Sequence, residues 1–231
     1  MKILRRIWKV LWRSFLWFIG LSFGLVILYR FVPVPITPLM VIRVVEQSFD
    51  SEKEVRLYKD WVSIDEMSRH APQAVVAAED QKFLDHKGFD FEAMEKAWES
   101  NKKGNKIRGA STISQQTAKN VFLWPSRSYL RKGLEAYFTF LIELIWPKER
   151  IMEVYLNVIE MGDGVYGIEA ASQRFYNKKA GDLSKGQAAM IAAVLPNPRR
   201  WTPARPTGYI QSRQGWIMRQ MSNLSPTGFG R

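Results

Sequence analysis

Apolar residues recur at a spacing close to 3.6 along most of the chain after residue 60, and alternation typical of strands is scarce. A period of 3.6 places apolar side chains on one face of a helix. The pattern therefore predicts an all-α domain over residues 59–231. Its predicted helices cover residues 73–83, 91–99, 112–122, 128–145, 147–161, 166–175, 184–195 and 208–223.

Helix start and stop signals support these boundaries. Thr112 with Gln115, and Ser184 with Gln187, match the capping box, in which two side chains satisfy backbone N–H groups at a helix start. Pro147 ends one predicted helix and begins the next, because proline lacks the N–H that a helix interior requires. The chain between helices is short and polar, including a basic, glycine-containing loop at 101–108.

The N-terminus differs from the rest of the chain in hydropathy. Residues 14–29 are uncharged and mostly apolar, and as a helix they span roughly 24 Å, close to the ~30 Å of a bilayer core. Five cations precede them, which predicts a cytoplasmic basic tail at 1–13 and a transmembrane anchor at 14–32. A cleaved signal peptide is the alternative, but no small-x-small cleavage site follows.

Residues 33–58 form a predicted membrane-proximal segment. Its prolines break regular structure, and Thr37-Pro38 is typical of a helix N-cap followed by proline in the first turn. The helix that follows is apolar enough to lie along the membrane surface. Packing against the main domain explains its composition equally well, so both interpretations stay open.

Composition limits the kinds of site. The 231 residues include no cysteine and two histidines, which excludes disulfides and thiol nucleophiles and argues against a histidine-rich metal site. The net charge is +12. This excess suits anionic lipid, a phosphorylated substrate or nucleic acid.

Two polar stretches, 79–88 and 109–116, favour a functional site over a polar loop, because so many buried polar groups would each need a partner. Glu79 lies near the end of an alanine-rich helix, where partial desolvation raises the pKa of a carboxyl and suits it to act as a general base. The alternative is a helix-terminal acid in solvent.

A basic cluster follows. Lys119, Arg127, Arg131 and Lys132 lie within fourteen residues and precede Glu135. One interpretation is a solvated helix face with an ion pair worth about 0.2–0.5 kcal/mol. The other is a phosphate cradle, in which arginine forks onto phosphate oxygens and Glu135 holds the cations or a metal ion.

Five motifs in order then make the chain similar to the monofunctional biosynthetic peptidoglycan transglycosylases of glycosyltransferase family 51. The similarity runs from about residue 60 to 205, with small departures at Ala110 and Thr117. The motif residues are Glu79, Asp80, Phe83, His86 and Gly88; Gly109, Ser111, Thr112, Ile113, Gln115, Gln116, Lys119 and Asn120; Arg131, Lys132 and Glu135; Ile151, Glu153, Tyr155, Leu156 and Asn157; and 192–198.

The resemblance implies a lysozyme-like helical domain that polymerises lipid II at the cytoplasmic membrane, with inversion and release of polyprenyl pyrophosphate. It implies Glu79 as general base and Glu135 as an assistant on the donor side, acting through the pyrophosphate, its cations or a divalent ion (Mg²⁺ or Mn²⁺). Tyr155 and Asn157 are interpreted as structural. The implied substrate-binding residues are Asp80, Phe83, His86, Ser111, Thr112, Gln115, Gln116, Lys119, Asn120, Arg127, Arg131 and Lys132.

The implied partners are lipid II, the growing glycan, membrane lipid and other proteins of cell-wall synthesis or division, without nucleic acid. Two rival functions stay open: a lytic enzyme of related fold, which would need no pyrophosphate cradle, and a non-catalytic anchored module that binds an anionic polymer or nucleic acid. The length excludes a bifunctional transpeptidase, and the S-x-x-K match at 100–103 is attributed to chance because no K-T-G follows.

Overall fold

The computed structural model describes residues 2–50, 54–102, 104, 109–126 and 128–231. The chain divides into two units, 1–33 and 34–231. The first is a single helix, α1 (Lys2–Phe31). Within the described residues it is the one helix long and apolar enough to cross a membrane. Helix α1 agrees with the anchor predicted at 14–32. It begins at Lys2, so the predicted basic tail is part of the same helix.

The second unit contains nine further α-helices, two short 3₁₀ turns and a small sheet among its described residues. The 3₁₀ turns are Ile64–Glu66 and Ala180–Asp182. The helices are α2 (Pro38–Ser48), α3 (His70–Glu79), α4 (Phe91–Lys102), α5 (Ile113–Phe122), α6 (Tyr129–Ile145), α7 (Lys148–Val158), α8 (Ile168–Tyr176), α9 (Lys185–Val194) and α10 (Gly208–Asn223).

Three helices, α3, α9 and α10, pack around an alanine-rich core. Ala74 and Ala77 of α3 and Ala189 and Ala193 of α9 are fully buried, and Ile217 of α10 completes the contact. Small side chains let the helix backbones approach closely, since little volume separates them. This packing brings Glu79, the last residue of α3, close to Arg213 of α10.

A second group consists of α5, α6 and α7, with α5 packed against both of the others. Phe122 of α5 stacks on Phe138 of α6 with 4.5 Å between ring centroids. Helix α2 also packs against α5 and buries Met40. Its Val41 and Val45 are exposed, so α2 combines a face packed on the domain with an apolar face that is not covered.

Most predicted helix starts are confirmed. Thr37 caps α2, Ser128 caps α6, and both capping boxes are present at α5 and α9. The predicted bounds of α10 match the structure.

Two predicted helices are corrected. The helix predicted over 73–83 begins at His70 and ends at Glu79, because the chain turns at Asp80. The helix predicted to reach 161 ends at Val158, and a sheet of β1 (Tyr58–Lys59), β2 (Glu160–Gly162) and β3 (Val165–Tyr166) follows.

The order of the sheet is β1-β3-β2, with β1 parallel and β2 antiparallel to β3. Gly164 makes the turn between β2 and β3 with a φ of +70°, a conformation that favours glycine. The strands are too short to show alternation in the sequence, which is why a helix was predicted here.

Candidate functional site

The carboxylate of Glu79 lies at the end of α3, where side chains from two other helices meet it. Gln116 of α5 donates a hydrogen bond from Nε2 to Glu79 Oε2 at 3.0 Å. Arg213 of α10 places a guanidinium nitrogen 3.6 Å from Oε1. Tyr155 of α7 donates its hydroxyl hydrogen to Gln116 Oε1 at 3.3 Å, which orients the amide. The carboxylate is therefore held by Gln116 and Arg213, with Tyr155 fixing the first of these.

The surroundings of Glu79 suit a proton acceptor. Burial raises the pKa of this carboxyl, whereas the Gln116 hydrogen bond and the Arg213 charge lower it without cancelling the effect of burial. A raised pKa strengthens a carboxylate as a base, and the hydrogen bonds hold it in one orientation. The prediction that Glu79 is partly desolvated at a helix end agrees with this geometry.

Arg213 is the functional candidate that the sequence analysis missed. It lies in the predicted helix 208–223, which contains none of the motif residues. The buried residues Ile210, Ile217 and Met221 define the inner face of α10. Arg213 lies three residues after Ile210 and four before Ile217, so it falls on that inner face. The sequence signal for Arg213 is therefore its spacing, because it is a cation placed at the helical spacing of the buried apolar residues.

A cleft of about 270 Å³ opens beside Glu79. Ser111, which is exposed, lies on its wall and is free to meet a ligand. On the opposite side Glu92 is bonded by Lys82 and Lys96. These contacts, with Lys82 the stronger, lower the pKa of Glu92 to about 2. Glu79 and Glu92, two of the four acids that line the cleft, thus have opposite pKa shifts, and Glu79 is the one suited to accept a proton.

Asp80 and His86 form the framework of the cleft. Asp80 is buried and accepts from the backbone N–H of Ile113 at 2.9 Å, the first residue of α5. His86 Nδ1 accepts from the Gly88 N–H at 3.1 Å, so Nε2 carries the hydrogen that it donates to Asp80 at 2.9 Å. Their predicted role in substrate binding stays a prediction, and the geometry favours positioning of α5.

Three other predicted binding residues have partners inside the fold. Phe83 is fully buried. Thr112 donates to the Gly88 carbonyl oxygen at 2.7 Å and accepts from the Gln115 N–H at 3.1 Å. The Thr112 N–H in turn donates to Gln115 Oε1 at 3.0 Å. These contacts hold the start of α5 against the turn that follows Glu79.

Tyr155 and Asn157 agree with the structural role predicted for them. Burial raises the pKa of Tyr155 well above its ordinary value, so its hydroxyl stays protonated and donates. Asn157 fixes Val62 through two hydrogen bonds of 2.9 Å to its backbone. Neither side chain is available to a ligand.

A second and larger cavity, of about 570 Å³, lies further along α5. Lys119, Asn120 and Arg131 line it. Lys119 is one turn after Gln116, so the face of α5 that holds the base continues into this cavity. Burial lowers the pKa of Lys119; the charges of Glu135 and Glu79 oppose this effect, and that of Arg131 adds to it. The charge of Lys119 therefore interacts with both Glu135 and Glu79.

Glu135 is buried on α6 and holds two cations. Arg131 donates to Oε2 at 2.5 Å, and Lys132 donates to Oε1 at 2.5 Å. The Arg131 contact leaves its Nε buried without a partner. Arg127, the remaining cation of the predicted cradle, lies outside the described residues.

This arrangement does not fit a metal ion bound by Glu135. Both of its oxygens already accept hydrogen bonds from cations, and among the described residues no group of three His, Asp or Glu side chains could hold an ion. A divalent ion needs several oxygen ligands. Of the three predicted roles of Glu135, the geometry favours holding the cations, and the divalent ion stays a prediction.

Comparison with known proteins agrees with the motifs. The transglycosylase family profile matches residues 46–222, so the chain belongs to the transglycosylase family. A biosynthetic peptidoglycan transglycosylase of Bdellovibrio bacteriovorus is 56% identical over 93% of this chain and 85% of that protein. Proteins with the same name from Bacteroides thetaiotaomicron and Pseudomonas fluorescens are 58% and 51% identical, over 87% and 96% of this chain and 80% and 92% of their own lengths.

The predicted fold class is thereby confirmed. The domain has the lysozyme-like helical fold of this family, with the small sheet as an addition to the predicted all-α architecture.

Proposed function

We propose that this protein is a peptidoglycan glycosyltransferase that polymerises lipid II into β-1,4-linked glycan strands. The observation that carries the proposal is that two side chains on one face of α5 serve two different parts of the site. Gln116 holds the carboxylate of Glu79 at one cleft, and Lys119, one turn later, faces a cation-lined cavity. A base and a site for an anionic leaving group are the two elements that transfer from a pyrophosphate-activated sugar requires.

In this mechanism Glu79 takes the proton of the acceptor sugar's 4-hydroxyl. The hydroxyl oxygen bonds to the anomeric carbon of the donor while the bond from that carbon to the pyrophosphate oxygen breaks. The electron pair leaves with the polyprenyl pyrophosphate, and an α link becomes a β link. A positioned base contributes about 10²–10⁴ in rate to such a step.

The cations receive the charge that develops on the leaving group. Lys119 and Arg131 line the cavity, and fixed charges stabilise a transition state without reorganising. Glu135 acts through these cations by holding Arg131 and Lys132 in place. A pyrophosphate leaves readily once its charge is neutralised, so no acid is needed on the leaving oxygen; glycosidases differ because they must protonate an alcohol.

The substrate explains the anchor. Lipid II carries a long hydrocarbon chain, and α1 is long and apolar enough to cross a membrane. Since cations precede its most apolar part, we place the N-terminus in the cytoplasm and the catalytic domain on the outer side of the cytoplasmic membrane. The exposed apolar side chains of α2 suit contact with the outer leaflet. Contacts with other cell-wall proteins stay a prediction.

The test is conversion of labelled lipid II by the detergent-solubilised full chain. We expect polymer that lysozyme digests, and Glu79→Gln should abolish it while lipid II binding survives. Glu149→Gln, an exposed acid on α7, is the matched control and should retain activity.

Appreciable polymer from Glu79→Gln would reject Glu79 as the base. Shortening of added glycan strands without polymer would favour the lytic enzyme. Binding without either activity would favour the non-catalytic module.

A further inference from the structure

The 570 Å³ cavity has a wall that the family motifs do not include. Leu39 and Arg43 of α2 line it, opposite Lys119 and Arg131. Helix α2 precedes every motif of the catalytic domain. The membrane-proximal segment therefore does more than connect the anchor to the domain, because it forms one side of this cavity.

Two polar atoms of the residues that line this cavity lack partners. Arg43 Nε and Arg131 Nε are both buried and make no hydrogen bond. A buried N–H without a partner is destabilising, and such groups are rare unless a ligand or water satisfies them. Both belong to cations that face one cavity. Both arginines line the same cavity, so an anion bound there that draws the guanidinium groups toward it would give these N–H groups a partner.

The charge of Arg43 is incompletely neutralised. Its guanidinium donates to Glu46 at 2.6 Å, one turn along α2. The Glu46 side chain is 52% exposed, so water competes for this pair and the pair can open. Glu160 also lies near Arg43, but burial raises the pKa of that carboxyl and reduces its competition for the cation. Within the described residues that line the cavity, all charged side chains are cationic.

The remaining lining combines the polar side chains of Asn120 and Ser126 with four apolar ones. Leu39, Leu123, Trp124 and Pro125 lie beside the three cations. Phosphate oxygens suit the cationic side, and a hydrocarbon segment attached to the phosphate suits the apolar side. A free sugar or a peptide lacks this combination.

We propose that Arg43 of α2 binds the pyrophosphate of the polyprenyl leaving group together with Lys119 and Arg131, with Leu39 against the first carbons of the lipid. This inference rests on the proposed function and adds a binding residue from outside the motif region. It makes the position of α2, whose opposite face is apolar and exposed, a determinant of how firmly the leaving group is held.

The test is titration of the full chain, in nanodiscs of neutral lipid, with farnesyl pyrophosphate. Arg43→Met keeps most of the side-chain volume and removes the charge, and we expect about tenfold weaker binding, the loss typical of one charge-assisted contact. Farnesol, which lacks phosphate, should bind wild type and variant equally. Glu46→Gln should bind as wild type or tighter, because it removes the competing carboxylate. Lys178→Met, an exposed cation on the far surface, controls for net charge.

Equal affinity of Arg43→Met and wild type for farnesyl pyrophosphate would overturn the proposal. If Arg43→Met does not fold, the proposal is tested by farnesyl pyrophosphate binding to Arg43→Lys and by amide hydrogen exchange of α2 in the wild-type protein. Slower exchange with farnesyl pyrophosphate but not with farnesol supports the contact, and unchanged exchange rejects it. Lipid II polymerisation is measured separately, so a protein that polymerises but binds without Arg43 refutes only this inference.

Discussion

Replacing Arg213 with methionine tests whether a cation from α10 controls the ionisation of the base. The substitution keeps an unbranched apolar stem and removes the charge beside Glu79. Loss of an attractive charge raises the pKa of a carboxyl further. We therefore expect the acid limb of the kcat/KM profile to move to higher pH, with activity recovering under alkaline conditions.

The magnitude follows from the geometry. At the separation of 3.6 Å, two unit charges attract by about 4–5 kcal/mol if the effective dielectric constant is near 20. Desolvation and solvent screening offset most of this, since Arg213 is 22% and Glu79 17% exposed. A remainder of about 1–2 kcal/mol corresponds to roughly 5- to 30-fold in the ratio of ionised to protonated Glu79.

The assay is the rate of lipid II polymerisation across pH, with thermal melting of each variant beside it. Arg213→Lys should keep the acid limb near that of wild type, because it retains the charge. Arg219→Met, an exposed arginine on the same helix, should change neither the limb nor the rate. If Arg213→Met lowers the polymerisation rate by the same factor at every pH, the reasoning is refuted. Arg213 would then act through packing or through contact with the substrate.

Three further outcomes are expected. Because burial raises the pKa of Glu79, the folded state binds a proton at this residue more tightly than the unfolded state does. Stability therefore falls as pH rises from the unfolded-state pKa through the folded-state pKa. Glu79→Gln should flatten this dependence of Tm on pH, and parallel curves for variant and wild type would contradict it. Gly88→Ala should cost about 1–3 kcal/mol in denaturant melts, since φ is +91° and the new Cβ would lie 2.9 Å from Thr139 Cγ2. Gly133→Ala, on open helix surface, should instead stabilise by about 0.5–1 kcal/mol. Glu135→Gln should bind as much Mn²⁺ as wild type in electron paramagnetic resonance titrations. Loss of a bound ion in this variant would instead support a metal site at Glu135.

Local signals predicted the helix starts well. Capping depends on residues within one turn, so Thr112 with Gln115 and Ser184 with Gln187 carry the information in the sequence itself. The same applies to Glu79, because its alanine-rich helix already indicates partial burial.

The parts that were missed depend on distant partners. Nothing near Arg213 indicates that α10 packs beside the end of α3, and nothing near Arg43 indicates that α2 forms a wall of the leaving-group cavity. Strand β2 was read as helix because it is three residues long and its pairing with β3 decides its conformation. In each case tertiary contacts outweigh local preference.

The contact between Glu79 and Arg213 also bears on when activity arises during synthesis. The two residues are separated by more than half of the chain, and domains are made from the N-terminus onward. A chain that has emerged only as far as α9 has its anchor and its base but lacks the guanidinium that favours the ionised form of that base. An unfinished chain already tethered beside its substrate therefore holds a smaller ionised fraction of Glu79, and full activity follows once α10 has docked.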